Sequence, residues 1–145
     1  MTNQELKRKL TAILSADVEG YSRLMGEDDV STIHTLKRYK EAITKLVQNY
    51  RGRVVDAPGD NLLAEFVSVV DAVQCAVEIQ REIAECNEET SRGCKMSFRI
   101  GVNLGDVVEE DNRIYGEGVN IAARVEGLAE KGGICVTGAV YEQVK

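Results

Sequence analysis

The chain has 145 residues, 43% hydrophobic and 29% charged, which suits a single soluble globular domain that buries about two-thirds of its unfolded surface. Its formal charge of -6 argues against nucleic acid as the main partner, because phosphate backbones are held by basic patches. No apolar run reaches the roughly 20 residues of a membrane span, and the opening MTNQELKRKL lacks the apolar core of a secretory signal.

Taken in order, residues 10–18 (LTAILSADV) read as a buried strand ending at Asp17-Val18, and Lys7-Arg8-Lys9 before it as a solvated helix face. Gly20 follows, and helical patterning starts at Tyr21. From Asp28 onward Val30, Ile33, Leu36, Ile43, Leu46, Val47 and Tyr50 recur at helical spacing until Gly52 closes the helix. Residues 53–56 and 61–67 read as two strands joined by the hairpin Ala57-Pro58-Gly59-Asp60. Ser68 with Asp71 resembles a capping box for the next helix, and residues 87–95 are a polar loop. Residues 96–108 read as a strand with one solvated face, 109–113 as a polar turn and 119–129 as a helix. Ile134-Cys135-Val136 is a last strand, and Thr137 can cap a short final helix. The front of this order is the βαββαβ arrangement of ferredoxin-like α+β folds, with further C-terminal α/β elements, and residues 1–145 read as one domain.

Cys75, Cys86, Cys94 and Cys135 are scattered without CxxC spacing, three of them beside apolar residues in the manner of buried thiols. His34 is the only histidine and reads as structural or exposed, so no zinc site is expected, and a reduced cytoplasmic setting is.

Three places could carry chemistry. Asp17 ends an apolar strand, which is costly for a carboxylate unless it is hydrogen-bonded, ion-paired or bound to a cation. Val18-Glu19-Gly20-Tyr21-Ser22 then leads into a helix start, where free amides favour an anion, although an Asp that caps a helix is an equal reading. Asp60 follows a Pro-Gly turn that a βαββ topology brings beside the end of the first strand. Two neighbouring carboxylates need a positive charge between them, and Mg2+ or Mn2+ would serve. Asn120 and Arg124, four apart, share one helix face and suit phosphate, but by themselves they read first as a surface Arg near Glu126 and an Asn in a helix first turn.

The three segments together resemble the class III adenylate and guanylate cyclases. ILSADVEGYSRL is similar to that family's first metal-binding segment, APGDNLLAEF to the second, and YGEGVNIAARVEGLAEKGGICVTGAVYEQV to the stretch with its transition-state Asn and Arg. The resemblance implies that Asp17 and Asp60, with the Val18 carbonyl, hold two divalent cations, Mg2+ or Mn2+. It implies attack of the ribose 3′-hydroxyl on the α-phosphorus, with pyrophosphate leaving. The amides from Glu19 to Ser22 would cradle phosphates, Asn120 orient the ribose and Arg124 stabilise charge at the α-phosphate. The metal residues and the Asn/Arg pair would come from opposite subunits of a head-to-tail homodimer, with regulatory domains possible in a longer protein.

The sequence departs from that pattern at two points. Where the family commonly reads the purine with a Lys and an Asp or Thr, this chain has Asp56 and Arg113, either a swapped base-proximal ion pair across the dimer or a loss of base reading. ATP is favoured over GTP only because adenylate cyclases are the commoner bacterial members. The family domain normally continues past the equivalent of Lys145 into strands with a phosphate-binding Lys, so the site expected of this chain is truncated. The alternative function is a degenerate module that dimerises and binds nucleotide without catalysis.

Overall fold

Alternation along one strand sets the plan of the molecule. In β1 (Lys7–Val18), Ala12, Leu14, Ala16 and Val18 enter the main core, whereas Ile13 enters a second, smaller one on the opposite face. Thr11, Ser15 and Asp17 share the face of Ile13 by the same period of two. The computed structural model describes residues 6–89 and 95–145.

After β1 come α1 (Tyr21–Glu27), α2 (Asp29–Asn49), β2 (Gly52–Asp56), β3 (Leu62–Phe66), α3 (Val69–Glu89) and β4 (Phe98–Glu110). The chain continues through β5 (Arg113–Tyr115), α4 (Glu117–Leu128), β6 (Ile134–Val136) and α5 (Gly138–Val144). The strands form one sheet in the order β2-β3-β1-β4-β5, and β6 runs parallel to β4. Four of them, β2-β3-β1-β4 with β2 at the edge, are antiparallel neighbours, the ferredoxin-like arrangement expected from the sequence.

The main core lies between one face of the sheet and α2, α3 and α5, with Tyr39, Phe66, Phe98, Ile43 and Ile79 fully buried. The Tyr39 and Phe98 rings lie 6.3 Å apart and tilted, worth about 1 kcal/mol beyond their burial. The other face is covered by α4 over Ile13, Val107 and Ile114. Gly101 of β4 allows this seat: a Cβ there would stand 2.4 Å from the Glu126 amide nitrogen and 2.6 Å from the Ala122 carbonyl oxygen. Asn103, buried beside it, donates to Gly118 O at 3.0 Å and fixes the start of α4 on β4.

Several sequence expectations are corrected. Lys7-Arg8-Lys9 open β1 rather than a helix, and between β3 and β4 Lys9 pairs with Glu65 and Glu109, each at 3.1 Å. The expected polar turn at 109–113 is the tip of a hairpin, with Asp111 and Asn112 in left-handed conformation (φ 53° and 65°) between β4 and β5. Thr137 does precede α5, but its hydroxyl donates to Asn103 Oδ1 at 2.9 Å rather than capping the helix. Ser68 caps α3 as expected, its Oγ accepting from the Asp71 amide at 3.2 Å. Of the loop expected at 87–95, residues 87–89 belong to α3, and residues 90–94, Cys94 among them, lie outside the described residues. Cys75 and Cys135 are free thiols, burial raises the pKa of Cys75 to about 12, and the Cys86 thiol donates to Glu82 Oε2 at 3.8 Å. His34 is exposed on α2. Among the described residues, no helix is long and apolar enough to cross a membrane.

Candidate active site at one end of the sheet

The hairpin between β2 and β3 turns through Pro58–Asn61, closed by the Asn61 amide on Pro58 O at 2.9 Å. Gly59 takes the second position of that turn with φ 56°, a conformation that L side chains strain to adopt. Asp60 follows, and the register Ala16↔Leu62 sets it beside the end of β1. Its Oδ2 accepts from the Val18 amide at 3.3 Å, so Asp60 and Asp17 flank the same residue. From α2, Lys40 reaches over the turn, its Nζ donating to Ala57 O at 2.8 Å and also to Gly59 O. Burial pulls the pKa of this ammonium below the usual lysine range, against the opposing fields of Asp60 and Asp56.

Asp17 has an immediate partner. The antiparallel register sets Arg99 of β4 directly across from it, and the guanidinium forks onto the carboxylate: Nε to Oδ1 at 3.1 Å, Nη2 to Oδ2 at 2.9 Å. The same Nη2 lies 3.6 Å from Glu126 Oε2, on the buried side of α4. Ser15 Oγ donates to Glu126 Oε1 at 3.3 Å. Burial, and then the nearby Asp17 charge, raise the Glu126 pKa to about 7. Sequence reasoning missed both Arg99 and Glu126. The only available signals were an Arg on the solvated face of the fourth strand and a Glu two residues past Arg124.

The other expected residues lie as follows. Val18 is buried, and Gly20 (φ 70°) precedes α1 in left-handed conformation. The Glu19 amide donates to Ser97 O at 2.8 Å and is committed there, whereas Tyr21 and Ser22 form the first turn of α1. Asn120 and Arg124 stand on the exposed face of α4, turned away from the sheet that Ala122 and Glu126 contact. Arg124 pairs only loosely with Glu117, at 3.9 Å. Asp56 ends β2 just after a register shift, its Oδ1 accepting from the Ala57 amide at 3.0 Å. Arg113 opens β5 and is exposed, and no ion pair joins it to Asp56 within the chain. Arg53, not Arg113, makes the ion pairs near the β4–β5 turn, to Glu65 at 2.7 Å and Glu109 at 2.6 Å.

One end of the sheet thus gathers hard oxygen donors with few cations, and the opposite face of α4 presents an amide and a guanidinium to solvent. Comparison with known proteins gives this arrangement its context. The profile of the "Adenylate and Guanylate cyclase catalytic domain" family matches residues 4–145. The "Putative adenylate cyclase 3" of Rhizobium meliloti is 44% identical over 146 residues, covering 99% of this chain and 25% of that protein. The adenylate cyclase of Streptomyces coelicolor is 25% identical, covering 98% of this chain and 36% of that protein. This chain therefore spans only about a quarter to a third of these relatives. The crystal structure of an adenylate/guanylate cyclase/hydrolase from Silicibacter pomeroyi superposes with a TM-score of 0.86 at 40% identity, covering 95% of this chain and 81% of that one. By its matched residues, its fold and the Silicibacter structure, the chain belongs to the adenylate and guanylate cyclase catalytic domain family.

Proposed function

We propose that the chain is a nucleotide cyclase domain, converting ATP, in preference to GTP, to the 3′,5′-cyclic monophosphate and pyrophosphate at a site shared by two copies. The observation that carries this reading is the Asp60 bond to the Val18 amide, which brings two carboxylates to the end of β1. Carboxylate and carbonyl oxygens are the donors that Mg2+ and Mn2+ take, and Asp17 already draws the Arg99 guanidinium onto both its oxygens, so the residues fit such ions. Asp17 and Asp60, with the Val18 carbonyl, would hold them. Among the described residues no group of three or more His, Cys, Asp and Glu converges, so water and triphosphate oxygens would complete the coordination.

Bound there, two divalent cations would supply positive charge for attack of the ribose 3′-hydroxyl on the α-phosphorus and for departure of pyrophosphate. The chain's own residues bind and orient. Gly20, Tyr21 and Ser22 offer backbone to the phosphates, while the Glu19 amide is already engaged by Ser97. Asn120 would orient the ribose, and Arg124 would neutralise charge at the α-phosphate. Both side chains are exposed, which leaves them free to serve a second copy in a head-to-tail homodimer. Asp56 and Arg113 would approach the base from opposite subunits. A nucleotide complex with both far from the base would reject that part. The preference for ATP rests on the names of the Rhizobium and Streptomyces relatives. A cytoplasmic setting, and regulatory segments outside this chain, belong to the same reading.

A second reading is a dimerising module without catalysis, favoured by the Arg99 fork that occupies both oxygens of Asp17. Incubation with ATP or GTP and Mn2+ or Mg2+ separates the two. Cyclic product is expected, and Asp60→Ala should abolish it. No product from either nucleotide, in a chain that dimerises, would leave the second reading.

A further inference from the structure

Arg99 lies within reach of two carboxylates that serve different neighbours. Its guanidinium covers both oxygens of Asp17, through Nε and Nη2, so Asp17 has no carboxylate oxygen clear of a donor. The same Nη2 is 3.6 Å from Glu126 Oε2, too long for a hydrogen bond but within ion-pair range. Glu126 is 6% exposed and its only close hydrogen-bond donor among the described residues is Ser15, at 3.3 Å. A buried acid with one neutral donor and a guanidinium held off at 3.6 Å is poorly compensated when ionised, and a full guanidinium fork would satisfy that form. Glu126 is also held in place, because α4 rests on the bare Gly101 backbone at this point.

We propose that Arg99 is the internal counter-ion of the cation-free site, and that it passes from Asp17 to Glu126 when a divalent cation takes Asp17. Glu126 is then a positioning residue: it touches neither cation nor nucleotide and acts by receiving Arg99. The proposal rests on the reading of Asp17 and Asp60 as cation ligands. It explains why a buried acid stands beside an ion pair that is already complete. The transfer requires a change of side-chain torsion in Arg99 and no movement of β4 or α4.

Simple electrostatics and the transfer make different claims about a double-variant cycle. In both, removing the Arg99 charge tightens cation binding and removing the Glu126 charge weakens it. With Glu126 ionised and every charge fixed in place, the two changes act independently, so Glu126→Gln weakens binding equally with or without Arg99. Under the transfer, Glu126 matters only because Arg99 needs somewhere to go. The experiment is Mn2+ titration of the 145-residue chain at about pH 8.5, where Glu126 is ionised, read by loss of the free-ion EPR signal, with no nucleotide present. Glu126→Gln is expected to weaken Mn2+ binding roughly ten-fold, within the usual range of coupling between sites. Arg99→Gln should tighten it, and Arg99→Gln with Glu126→Gln should match Arg99→Gln within about two-fold. Thermal melts establish that each variant folds. Should Arg99→Gln fail to fold, Arg99→Lys replaces it in the cycle, and the Glu126→Gln effect should shrink there because an ammonium cannot fork onto either acid. A Glu126→Gln effect of equal size in both backgrounds overturns the transfer. Asp60→Ala separates this failure from that of the underlying reading. If the wild-type chain binds Mn2+ and Asp60→Ala does not, the cation site stands whatever the cycle shows. If the wild-type chain binds no Mn2+, both fall.

Discussion

The two ends of one sheet face carry similar residues in opposite balance. At the far end, Lys9 and Arg53 interlock with Glu65 and Glu109, all within 3.1 Å, two charges of each sign. Glu65 there has only 7% of its side chain exposed and is fully paired, with Thr11 adding a longer bond at 3.4 Å. At the α1 end, Asp17 and Glu126 share the guanidinium of Arg99, while Asp60 beside them takes only the Val18 amide. Lys40 does not close that gap, since Asp56 sits beside it as well. Buried and half-buried ions are tolerated when their partners are complete, and an incomplete set invites an outside cation. The first end is therefore complete as structure, and the proposed cation site lies at the second.

The contrast breaks most clearly at Asp60. Asp60→Ala is expected to lower cyclic-product formation by at least about 100-fold, more than the loss of a supporting residue around a metal costs. It should leave the melting temperature unchanged or higher, because it relieves carboxylate repulsion. A clear fall in melting temperature with activity retained would make Asp60 a structural residue. Next in size is Gly101→Ala, where the new Cβ meets α4 backbone rather than a movable side chain. It should cost about 2 kcal/mol of stability by denaturant unfolding, in the range of core overpacking. An unchanged unfolding midpoint would mean that α4 is not seated as described. Glu65→Ala should cost about 1–2 kcal/mol, leaving Lys9 and Arg53 with one carboxylate between them, yet leave Mn2+ binding intact. A matched loss of Mn2+ affinity would show that the two ends are not independent.

The smallest effect is on pH, and its sign differs between the ends. Burial keeps Glu126 protonated in the folded chain up to a higher pH than in the unfolded chain. Between the ordinary value of 4.5 and about 7 the folded state thus binds more protons, and stability from this group falls as pH rises. Glu109 behaves oppositely. The Lys9 hydrogen bond lowers its pKa, so its contribution is present above 4.5 and is lost on acidification through the lowered value. Melting temperatures of the metal-free chain from pH 5 to 7 should therefore decline. Glu126→Gln should flatten that slope and Glu109→Gln should not. Parallel slopes in wild type and Glu126→Gln would contradict the assignment.

Much of this was legible in the sequence, for a physical reason. Period-two and helical patterning exposes the long elements, and Gly59, which needs its positive φ, marks the hairpin that carries Asp60. The partner of Asp17 could not be read this way. Arg99 is 82 residues away, and it meets Asp17 only through the β1–β4 register, which patterning on each strand leaves unspecified. Glu126 was hidden as an ordinary acid on an amphipathic helix, its burial depending on the bare backbone of Gly101. The β5 strand was missed because its hairpin is made of charged residues that read as loop. Lys7-Arg8-Lys9 were misread as a helix face because the acids that pair with Lys9 come from β3 and β4.

The most direct test mixes two disabled chains. Asp60→Ala lacks the cation end and Arg124→Ala lacks the α4 guanidinium, and each should be inactive alone. If one site draws on both copies, re-equilibrated mixed dimers contain one intact site among their two. The mixture should then recover roughly a quarter of the wild-type cyclic-nucleotide production. A mixture as inactive as its components, beside an active wild-type chain whose dimers exchange, would contradict a site shared between the carboxylate end of one copy and α4 of the other.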